Sequence, residues 1–81
     1  MTVRVLFFGQ LVDVTGCSEK VISLTEDHSL EALANLLMEQ WPGLARWEHS
    51  LLWAINMQFA RRSEIIPAEA EVAVMPPVQG G

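Results

Sequence analysis

Basic side chains are scarce in this sequence: Arg4, Lys20, Arg46, Arg61 and Arg62 face ten acidic ones, a net charge of −5 over 81 residues. A surface of that sign repels a phosphate backbone, so nucleic acid is not an expected partner and a basic protein surface is. Arg61 and Arg62 form a basic pair that reads as a solvated turn. Cys17 is the single cysteine, which excludes an intramolecular disulfide and any cysteine cluster for zinc or iron–sulfur binding. The fold must therefore stand on packing. No apolar run approaches the ~20 residues of a membrane-spanning helix. The opening Met-Thr-Val-Arg-Val runs into alternating residues without the pattern of a secretory signal. The expected compartment is the cytoplasm, with no membrane partner.

Chemistry-bearing constellations are missing too. Gly9 and Gly16 are isolated and no Gly-x-x-x-x-Gly-Lys pattern occurs, so a phosphate-cradling loop is not expected. His28, His49, Cys17 and the scattered carboxylates fall in expected loops or helix flanks without triad or metal spacing. Glu19 and Lys20 balance each other near Cys17, which leaves its thiol without an electropositive setting. The expectation is a chain that binds no metal and no cofactor.

What is present is apolar and patterned. A chain 51% hydrophobic and 19% charged is too apolar for a disordered segment, and its length allows one core. Val3, Val5 and Phe7 alternate with Arg4, Leu6 and Phe8, which predicts a strand ended by Gly9. After a turn at Gly16, Lys20 to Leu24 reads as a second strand with Ile22 and Leu24 inward, suggesting a hairpin. Leu30, Leu33, Ala34, Leu37, Met38 and Trp41 then repeat at helical spacing, with Ser29 as N-cap, acidic residues at Glu26, Asp27 and Glu31, and a stop at Pro42-Gly43. Leu44 to Ser50 shows no sustained period. Leu52 to Phe59 predicts a third strand, Phe59 to Arg61 a short fourth, and Glu71 to Met75 the last, entered through a tight turn at Ala68 to Ala70 and closed by Pro76. One amphipathic helix on one face of a mixed four- or five-stranded sheet is an α+β roll of the ubiquitin-like type. The division is a folded domain over residues 1–75 and a tail over 76–81.

The tail, Pro76-Pro77-Val78-Gln79-Gly80-Gly81, is the unusual feature. Two prolines stiffen its root, and two glycines make a narrow tip that can extend ~20 Å in all. Given average glycine usage, such a pair arises by accident in roughly one sequence in two hundred, which favours a function for it. A glycine α-carboxylate passes down a slot too tight for any side chain. It is ionised at neutral pH and a poor acyl donor. Joined to AMP as a mixed anhydride it gains a good leaving group, which sulfur or an amine can replace. Beside the tail root, Leu6 and Phe8 are expected to neighbour Met75 if the first and last strands pair, with Met57 and Phe59 extending an apolar docking patch. The alternative is that a loop or the Trp47 and Trp53 region covers those side chains.

Val5-Leu6-Phe7-Phe8, Ser29-Leu30-Glu31-Ala32-Leu33, Ala54-Ile55-Asn56 and Glu71-Val72-Ala73, leading to the Pro-Pro-Val-x-Gly-Gly ending, together resemble the small, sulfur-carrying subunits of molybdopterin synthase, a ubiquitin-like β-grasp family. The resemblance covers essentially the whole chain. It implies that an E1-like enzyme uses ATP to adenylate Gly81, and that a sulfur donor protein supplies the sulfur that makes the carboxylate a thiocarboxylate. The tail, Pro76 through Gly80, then threads into a pocket on the large synthase subunit. There the sulfur passes to cyclic pyranopterin monophosphate, in a heterotetramer whose catalytic pocket belongs to the partner. It also implies a contact surface at Phe8, Phe59 and Met75, with Leu6 beside it, and puts Glu69 where the family's turn has glycine. Three other readings share the sequence: a sulfur carrier for thiamine thiazole synthesis, a ubiquitin-like modifier joined to lysines, and an interaction module with an inert tail.

Overall fold

In the computed structural model, which describes residues 1–77, the N-terminal alternation becomes β1 (Thr2–Phe7), with Val3, Val5 and Phe7 buried and Arg4 and Leu6 on the other face. The last strand, β5 (Glu71–Met75), pairs parallel with β1 and buries Val72 and Val74 on the same side. These two strands form the sheet's centre, in the order β2-β1-β5-β3-β4. β2 (Glu19–Ser23) runs antiparallel to β1. β3 (Leu52–Ile55) runs antiparallel to β5 and to the two-residue β4 (Gln58–Phe59). A parallel pair at the centre needs a long crossover, and the main helix supplies it.

That helix, α2 (Leu30–Gln40), buries Leu30, Leu33, Ala34 and Leu37 completely, while Met38 and Trp41 pack at the margin of the core. The Trp41 ring meets Phe7 edge-on, with centroids 5.3 Å apart. The Ser29 side chain accepts the Ala32 N–H at 3.1 Å. The N–H groups of Leu30 and Glu31 donate to the carbonyls of Glu64 and Arg62 in the loop before β5. The first-turn donors of α2 are thus spent inside the fold, and this end is no anion site. The core draws on β1, β2, β3, β5, α2 and the segments between them, from Val3 to Val74.

Three local expectations need correction. The hairpin of β1 and β2 is antiparallel as expected, but its connection, expected as a turn at Gly16, contains a short helix, α1 (Leu11–Thr15), which buries Leu11 and ends at Gly16 in the left-handed region. Five residues are too few to show a helical period. The segment after α2, read as irregular, forms a 3₁₀ helix over Pro42–Trp47 that buries Leu44. The predicted third strand over 52–59 is instead a hairpin, because Asn56 and Met57 both take positive φ and turn the chain. The short fourth strand accordingly lies at Gln58–Phe59 rather than 59–61.

Candidate functional site

One face of the sheet carries the core and the other is open, and its character changes along the strands. At one end Arg4 on β1 forms an ion pair with Glu71 on β5, its registered neighbour, and approaches Glu19 on β2 at 3.8 Å. Glu71 and Glu19 raise the pKa of the Arg4 guanidinium, so it stays charged at every pH that matters. These are exposed pairs, worth little to stability. They do mark that end as wet.

At the other end the same face is apolar. Strand register places Ala54 opposite both Ala73 and Phe59, and two methyl-sized residues leave a shallow floor. Phe8, Met57, Phe59 and Met75 surround that floor, forming a depression of about 260 Å³. Met57 is 90% exposed and Phe59 77%, so neither is covered by the protein itself. Trp53 points the other way into the core, and Trp47 packs against that core, so the tryptophans leave the patch open. Leu6 lies on the same face of β1, registered with Glu19 and Ala73, and is not among the residues lining the depression. Spacing alone did not single out Ala54 and Ala73 as its floor. Their signal was two small residues at outward positions of adjacent strands.

Met75 ends β5 and hands the chain to Pro76, so the depression sits at the root of the tail. Gly9, with φ +58°, holds Pro76 in close approach: a Cβ on Gly9 would stand 3.1 Å from the Pro76 Cγ. The Phe8 N–H donates to the Val74 carbonyl at 3.2 Å, tying the same corner to β5. Pro76 and Pro77 are half-buried. The expectations for Val78, Gln79, Gly80 and Gly81 lie outside the described residues.

The remaining titratable groups make separate local contacts, such as the Arg62–Glu31 ion pair at the start of α2. The Asp27 carboxylate accepts the Ser29 N–H at 2.9 Å, and that bond holds its pKa below the ordinary value. Cys17 is half-buried within a local turn made with Thr15. Among the described residues no three His, Cys, Asp or Glu side chains gather as a metal site, and no helix is long and apolar enough to cross a membrane. The turn before β5 falls at Ala68 and Glu69, and Glu69 takes φ +61°, the left-handed conformation that the expected glycine would favour.

A five-stranded mixed sheet with a parallel centre, crossed by one main helix, is a ubiquitin-like β-grasp domain. The model of the ThiS family matches residues 5–81, and the chain belongs to that family. Among curated relatives, the molybdopterin synthase sulfur carrier subunit of Caenorhabditis elegans is 30% identical, the alignment covering 100% of this chain and 99% of that one. The protein of the same name from Homo sapiens is 26% identical over 98% of this chain and 93% of its own. Among solved structures, SAMP1 from Haloferax volcanii superposes with a TM-score of 0.86 at 22% identity, covering 100% of both chains. A protein–protein complex of subunits 1 and 2 of molybdopterin-converting factor from Helicobacter pylori contains a chain matched at TM-score 0.70 and 23% identity, again over 100% of both.

Proposed function

We propose that this chain is the sulfur-carrying small subunit of a molybdopterin synthase, and that the folded part is a handle which docks while the terminal glycine carries the chemistry. The observation behind this reading is the junction at Met75 and Pro76. An uncovered apolar depression lies at the foot of a Pro-Pro-Val-Gln-Gly-Gly segment, and Gly9 packs on the first proline of that segment. The names of the full-length relatives and the two-subunit complex support the same assignment.

In this reading an E1-like enzyme binds ATP, and the Gly81 carboxylate attacks the α-phosphate with loss of pyrophosphate. The acyl adenylate is a mixed anhydride, and sulfide-level sulfur supplied by a donor protein attacks its carbonyl carbon, so that the C–S bond forms as the C–O bond to AMP breaks and a thiocarboxylate is left. The large synthase subunit then receives the tail in a pocket, where the sulfur passes to cyclic pyranopterin monophosphate. The depression formed by Phe8, Met57, Phe59 and Met75 covers an apolar part of the partner and fixes where the tail begins. This division of labour leaves acid–base work to the partner.

Reconstitution tests it. The thiocarboxylated chain mixed with the large subunit and cyclic pyranopterin monophosphate is expected to yield molybdopterin, and a chain lacking Gly81 is expected to yield none while unfolding at the same temperature, since the core is complete between Val3 and Val74. Product formed by the truncated chain would refute the assignment. Conjugates on lysines in place of product would favour the modifier reading.

A further inference from the structure

The β3–β4 hairpin turns through two residues, Asn56 and Met57, with φ of 48° and 71°. A two-residue connection with both φ positive is the type I′ pattern, for which Asn-Gly is the favoured pair. Asparagine suits the first position. Here it is also pinned, its N–H donating to the Glu71 carbonyl at 2.8 Å and its Oδ1 accepting the Glu71 N–H at 3.0 Å. Methionine does not suit the second, because a Cβ crowds the carbonyl in the left-handed region. Its side chain recovers little in the free protein, being 90% exposed. Yet it stands at the lip of the apolar depression.

A strained residue whose side chain contributes little to its own fold calls for a function where it stands. We infer that Met57 is a specificity-determining contact: the Asn56–Met57 turn keeps a left-handed methionine to project a flexible thioether over the depression, where it closes on an apolar side chain of the surface that receives the tail. Methionine is suited to this because an unbranched, polarisable chain adapts to an irregular apolar partner. The inference rests on the docking reading above and adds to it the residue that is kept at the expense of stability. Glu69 provides an internal control. It is equally left-handed, at φ +61°, but lines a different recess with Thr2, Arg4, Val21, Ala70 and Glu71, away from the depression.

The test measures two quantities on each full-length variant: the folding equilibrium constant from urea unfolding and the Kd for the purified large subunit. Met57→Gly is expected to raise the folding constant about fivefold by relieving the strain and to weaken binding by about five- to tenfold. Met57→Ala keeps the strain and loses the contact, so it should weaken binding without the gain in stability. Glu69→Gly should gain stability as Met57→Gly does and bind like the wild type. Unchanged affinity in Met57→Gly and Met57→Ala, with Phe59→Ala still weakening the complex, overturns the role of Met57 and leaves the docking face standing. An equal loss in Glu69→Gly overturns it as well, since the effect would then not be local. A wild-type chain that fails to bind the large subunit removes the docking reading, and this inference falls with it.

Discussion

Gly9 shows how much of this molecule's business is settled at single residues. Its φ of +58° is a conformation side chains rarely adopt, and the space where a Cβ would go is filled by Pro76. Gly9→Ala therefore meets two penalties, backbone strain and a contact that must give way, with an expected loss of about 1–2 kcal/mol. Because the displaced partner is the root of the tail, the rate of ATP-dependent pyrophosphate release with the activating enzyme should fall by more than the folded fraction does. A variant that loses stability while its correctly folded fraction reacts at the wild-type rate would separate Gly9 from tail placement. Nothing in the sequence announced this contact, since a glycine after a strand has many uses and its partner lies 67 positions away.

Among the elements, α2 was legible almost to the residue because its apolar stripe persists for three turns and its cap is local. Ser29 and Pro42 sit beside what they terminate. β1 and β5 were legible for a similar reason: alternation needs only a few residues. The elements that were missed are those made by tertiary contact. α1 is held by burial of Leu11, and the β3–β4 turn occurs without the glycine that would have signalled it. Glu69 likewise takes a backbone conformation its residue type argues against. The entry to α2 also carries a pH dependence. Asp27 accepts the Ser29 N–H just before the helix, and its carboxyl is held below the ordinary value of 3.8. A lowered folded pKa stabilises the protein at pH above the unfolded value, and that contribution is lost as pH falls through the folded one. Asp27→Asn should lower the urea midpoint slightly at pH 7, and the gap to the wild type should narrow as pH falls below 3.8. A gap that stays constant over that range would mean the charge on Asp27 does not support the cap.

At the scale of the whole molecule, the open sheet face is divided: charged where Arg4, Glu19 and Glu71 meet, apolar where the chain leaves for its terminus. The apolar end could be anticipated from Phe8, Phe59 and Met75 once the first and last strands were expected to pair. Its floor and its left-handed lip could not, because both depend on the register of β3 against β5 and β4. The fold leaves that apolar end uncovered beside the root of the tail. The central claim is that the terminal glycine bears the transferred sulfur. The most direct test is the mass of the C-terminal peptide recovered from cells in which the cofactor pathway is active. Exchange of one carboxylate oxygen for sulfur adds about 16 mass units, confined to the fragment ending at Gly81. A peptide that carries the free carboxylate alone, under conditions where the activating enzyme and sulfur donor are demonstrably working, would contradict the account.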